Sequence, residues 1–129
     1  MRDAARWGVA ALGALALAAC GLYADESSYA SAAALTGGDP RAGRQKIRDY
    51  GCDACHAIPG IPGADRTVGP PLEGIAGRMY IAGLLTNQPE NMVRWIMDPP
   101  AVDPKTAMPD MDVAEDDARD IAAYLYTLR

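Results

Sequence analysis

The chain has no phenylalanine and a single histidine among its 129 residues, and its aromatics are six tyrosines and two tryptophans. With 13 glycines and 10 prolines besides, the side chains alone make a thin core for a domain of this size, so a large apolar body from elsewhere is expected to complete it. One histidine and three cysteines reach the four ligands of a structural zinc site only if Cys20, at the end of the N-terminal apolar run, is one of them. No stretch alternates apolar and polar residues with β-branched enrichment, which argues against a β fold. A formal net charge of −5 excludes nucleic acid as an expected partner.

Long hydrophobic runs are also scarce. The longest, Trp7 to Ala19, follows Arg2 and Arg6 and is too short for the roughly 20 residues of a membrane-spanning helix, so it reads as a secretory signal over residues 1–19. Its end, "LAAC", resembles the bacterial lipobox, in which the protein is cut before the cysteine and the thiol is lipidated; Cys20 is then the anchor on the periplasmic side of a bacterial membrane. Residues 20–38, rich in Ala, Ser and Gly, show no sustained periodicity and are expected to be a flexible tether with a span of roughly 20–25 Å.

The folded domain is expected over residues 39–129. Asp39 and Pro40 have the chemistry of a helix start, and Gly51 stops that helix. Glycines and prolines dominate from Ala57 to Arg78, which reads as loop, and a short helix is expected over Ile81 to Leu85. "PENMVRWIMD" has helical spacing and ends at Pro99-Pro100, and the last segment places Ala118, Ile121, Ala122, Leu125 and Leu128 on one helical face. The expected class is all-α, with three to five helices around a bound group. Acidic residues crowd the chain from Asp98 onward, either as a solvated face or as a docking surface for a basic partner.

The chemistry concentrates in "CDACH", Cys52 to His56. Thiols three positions apart on a helical turn project to one side, where both can add across the vinyl groups of one haem. The adjacent imidazole is then placed to ligate the iron. A thioredoxin-like dithiol would need a βαβ context that the sequence lacks, and a plain disulfide would not need His56. With no second histidine, a methionine is the expected sixth ligand. Met108 and Met111 share a Pro-flanked loop, whereas Met79 lies in the long loop and Met92 and Met97 read as core.

From Asp39 to Arg129 the chain resembles the mono-haem class I cytochromes c. "CDACH" matches their haem-attachment motif, "VGPPLEGIAGR" their G-P-x-L-x-G…R segment, and "DPPAVDPKTAMP" the stretch leading to the sulfur ligand. The resemblance implies that Pro70 accepts a hydrogen bond from the axial His56, that Leu72 packs on the haem, and that Arg78 and Thr106 lie near its propionates. It assigns the second axial position to Met108 and puts Gly43 and Tyr124 where the first and last helices cross. Members of the mitochondrial type carry a propionate-bonding tryptophan that has no counterpart here; Trp95 falls instead in the helix before the Met loop, either near the Met108 side of the haem or as an ordinary core aromatic.

The function so implied is single-electron transfer by a membrane-tethered carrier with one covalent haem c, between partners such as a terminal oxidase and a quinol–cytochrome c reductase. The alternatives are a fixed electron-transfer subunit of an oxidase or other redox complex, and a haem peroxidase or gas-binding protein with an open iron. The last would lack a distal histidine, because His56 is the only one.

Overall fold

The computed structural model describes residues 26–129. The signal expected over residues 1–19 and the expected lipidation site, Cys20, lie outside the described residues. Five helices and one two-residue hairpin make up the described fold, so it is mostly helical, as expected.

The first helix, α1 over residues 26–36, departs from the tether reading. Ala32 and Thr36, one turn apart, are 3% and 4% exposed. Gly37, at φ 73°, ends the helix in the left-handed conformation, and its N–H caps the carbonyl of Ala33. The fully buried positions of the contacting face are small, with Tyr29 partly buried beside them, and they bury too little apolar area to register as a hydrophobic stripe. Alanine's high helix propensity and close packing supply what hydropathy does not show. Glu26 pairs with Arg41 at 2.6 Å, and the Arg41 guanidinium sits 5.2 Å over the Tyr29 ring, so α1 is fastened to the start of the next helix.

Helix α2 (Pro40–Asp49) begins as the sequence predicts: the Asp39 side chain accepts from the Arg41 N–H at 2.8 Å, and Pro40 occupies the first turn. Its buried positions, Pro40, Gly43 and Ile47, form one stripe. That stripe meets α5 (Glu115–Leu125), whose residues Ile121 to Leu125 are all buried. A Cβ on Gly43 would run into the backbone carbonyl of Asp120 and lie 3.0 Å from the Ile121 nitrogen, so the two helices cross backbone to backbone. Tyr124, one turn further, donates its hydroxyl to the Pro59 carbonyl at 2.7 Å and ties the long loop to the crossing.

Between these helices, α3 (Pro89–Met97) buries Met92, Val93 and Ile96. The expected stop at Pro99-Pro100 is a restart: Asp98 caps α4 (Pro99–Val102) through the Ala101 N–H at 3.0 Å, and proline is well suited to a first helical turn. The short helix expected over Ile81 to Leu85 is instead a hairpin, β1 (Tyr80–Ile81) against β2 (Leu85–Thr86), antiparallel with Ile81 opposite Leu85. Ala82 and Gly83 have φ of 51° and 72°, a left-handed pair that suits a tight hairpin and breaks a right-handed helix. The largest fully buried side chains are Ile47, Met92 and Pro99, with Tyr124 and Tyr126 the buried aromatics of the described core.

Candidate functional site

Gly51, at φ 72°, turns the chain out of α2 and into a single 3₁₀ turn, Cys52–Ala54. The N–H groups of Cys55 and His56 both donate to the Cys52 carbonyl, at 3.2 and 3.0 Å, so the two cysteines and the histidine occupy one tight turn. Both thiols are free and half-buried. Burial pushes the Cys52 thiol up to about 11, so it stays protonated at neutral pH.

The histidine is oriented by the loop that follows. His56 Nδ1 lies 2.7 Å from the Pro70 carbonyl oxygen. A carbonyl only accepts, so Nδ1 carries the proton and Nε2 keeps the lone pair that a metal would use. Gly69 completes the cradle, because a Cβ there would lie 2.7 Å from Nδ1 and 2.9 Å from Nε2. Backbone bonds clamp the loop to the motif: Gly69 N–H to the Cys55 carbonyl at 2.8 Å and Leu72 N–H to the Ala57 carbonyl at 2.9 Å.

The remaining sequence-assigned residues lie in three places. Leu72 is half-buried against the core, and Arg78 closes its own loop by donating through Nη2 to the carbonyls of Pro71 at 2.6 Å and Glu73 at 3.0 Å. These residues share one loop with Pro70. Thr106 and Met108 belong to another, after α4, where the Thr106 hydroxyl accepts from the Met108 N–H at 3.1 Å. Met108 is half-buried, whereas Met111 is 41% exposed. Trp95, on α3, is partly buried against the core.

Two contributors escaped the sequence reading. Gly69 directly precedes Pro70 in a motif already singled out, so the close approach of backbone to imidazole was the available signal. Asn87, whose side chain grips the Ile75–Arg78 segment, carried none, since a lone asparagine before a proline-led helix reads as a turn residue.

A sequence model of the family described as Cytochrome c matches residues 41–129. The chain belongs to the cytochrome c family. The cofactor of such a cytochrome is haem c, held covalently, and Cys52, Cys55 and His56 fit its C-x-x-C-H attachment motif. The chain is also 36% identical over 88 residues to the cytochrome c oxidase subunit 2 of Alkalihalophilus pseudofirmus, a stretch that covers 67% of this chain and 25% of that protein. The chain therefore spans about a quarter of the length of that relative. The donor set suits haem attachment: two free thiols on one turn, an imidazole with its remote nitrogen already committed, and a glycine where any side chain would meet the ring.

Proposed function

We propose that this cytochrome is a mono-haem, class I electron carrier whose iron is ligated by His56 and Met108. The observation that carries the reading is the bond between His56 Nδ1 and the Pro70 carbonyl, which commits one nitrogen and leaves Nε2 for the metal. The haem supplies one-electron redox chemistry when bound. The chain's part is to hold His56 and Met108, which would both ligate the iron, so that electrons would pass without ligand exchange. Half-burial of Met108 and the support of its N–H by Thr106 favour it over the exposed Met111. A thioether in place of a second imidazole raises the potential and suits delivery to a high-potential acceptor such as a terminal oxidase.

Cys20, in the lipobox-like "LAAC", is the proposed lipid anchor on the periplasmic side of a bacterial membrane. Because α1 starts by residue 26, the chain from the anchor to the folded body reaches at most about 20 Å when fully extended, against about 60 Å for a fully extended tether running to residue 38. A leash this short, together with the likeness to an oxidase subunit, favours a second form of the same reading, in which the domain is a fixed electron-transfer subunit of a membrane complex.

Met108→Ala tests the ligation. The expected result is a lower midpoint potential and an iron newly accessible to CO, while Met111→Ala leaves both unchanged. An unaltered Met108→Ala spectrum would contradict it. Cys20→Ser is expected to release the protein from membranes, and membrane retention of that variant would contradict the lipid anchor.

A further inference from the structure

Asn87 lies in the short link between β2 and α3, is half-buried, and takes part in four hydrogen bonds. Its backbone N–H donates to the Met79 carbonyl at 3.0 Å. Its Nδ2 donates to two carbonyls, Ile75 at 2.8 Å and Arg78 at 2.8 Å, and its Oδ1 accepts from the Tyr126 hydroxyl at 2.8 Å. Carbonyls cannot donate, so the amide orientation is fixed by its partners. An aspartate of the same shape would turn a carboxylate towards two carbonyl oxygens, and an alanine would release all three side-chain bonds.

The two carbonyls that Asn87 holds belong to the end of the loop that orients His56. Fixing the Arg78 backbone fixes the root of its side chain, whose guanidinium grips the Pro71 and Glu73 carbonyls at 2.6 and 3.0 Å. Pro71 follows Pro70, whose carbonyl faces His56 Nδ1 at 2.7 Å. Tyr126, buried at the end of α5, braces the far side of the amide. The pieces form a relay from the Asn87 amide, through Arg78, to the imidazole.

We infer that Asn87 is a positioning residue for His56, acting through Arg78 and Pro71, and that it thereby tunes the reduction potential of the bound haem. The inference rests on the reading of His56 as an iron ligand. Loss of the two Nδ2 bonds loosens the Pro70–Arg78 loop and admits water beside the imidazole. Water favours the more highly charged ferric state, so the potential falls.

The test uses the holoprotein carrying Asn87→Ala, Asn87→Asp or Tyr126→Phe, each shown to be folded by circular dichroism. In the two Asn87 variants the His56 Nδ1 proton, followed by NMR in the ferrous state, is expected to exchange about tenfold faster with solvent, the scale of one lost hydrogen bond, with a lower midpoint potential. Tyr126→Phe keeps both Nδ2 bonds and is expected to lose stability at an unchanged potential. Folded Asn87→Ala with wild-type exchange and potential would overturn the inference. Should Asn87→Ala fail to fold, Arg78→Ala cuts the next link of the relay and must show the same two changes; wild-type values in it would overturn the inference equally. His56 ring protons left unshifted by the haem in the wild-type protein would overturn the ligand reading itself, whatever the variants do.

Discussion

The carbonyl oxygen of Pro70 stands 2.7 Å from Nδ1 of His56, and the residue before that proline has no side chain to come between them. One contact therefore fixes which imidazole nitrogen is protonated and how the ring is turned.

Gly69→Ala tests that cradle. The new methyl would sit 2.7 Å from Nδ1, too close for either group to stay, and overpacking of this kind costs about 1–3 kcal/mol. The expected outcome is a lower melting temperature together with a perturbed haem spectrum, read by thermal denaturation and visible absorbance. A variant with wild-type values for both would show that the ring and backbone are not in contact.

Asp117 on α5 accepts from the Tyr50 hydroxyl at 2.7 Å and pairs with Lys46 at 2.9 Å, bridging the end of α2. The Tyr50 hydrogen bond first, and Lys46 second, hold its carboxyl below the usual carboxylate range. A depressed carboxylate contributes stability that is present above its unfolded pKa of about 4 and is lost as pH falls through the folded value. Denaturant titrations are expected to show the wild type losing its advantage over Asp117→Asn as pH drops below about 4. Parallel profiles for the two proteins would contradict this.

Ala32→Asp places a carboxylate at a position 3% exposed, where α1 meets the domain. An unpaired buried charge is expected to cost about 2 kcal/mol or more, enough to undock α1 and open the Gly37-Gly38 link to protease. Leu35→Asp, at a position 53% exposed, is the control and should remain resistant. Equal cleavage of both variants would contradict the docked helix.

The parts of this molecule legible in its sequence are those whose chemistry is local. The Asp39-Pro40 start, the two-sided grammar of "PENMVRWIMD" and the acidic first turn of the last helix all name their own structure, because capping and periodicity act within a turn or two. The turn that gathers Cys52, Cys55 and His56 was equally plain, since the spacing itself is the geometry. Features made by distant partners were not legible. α1 fully buries only an alanine and a threonine, with Tyr29 partly buried beside them, which leaves no hydrophobic stripe, and the hairpin at Ala82 depends on a left-handed non-glycine residue that no propensity announces. Asn87 gains its role only once Ile75, Arg78 and Tyr126 surround it.

The account as a whole rests on covalent haem held by the two cysteines of one turn. Intact-mass spectrometry of protein matured in a cytochrome c-assembling host, taken after denaturation, tests this directly. The account predicts the polypeptide plus the mass of one haem, with that addition missing from a Cys52→Ser, Cys55→Ser double variant. Unmodified polypeptide from the wild type, or haem retained by the double variant, would contradict it.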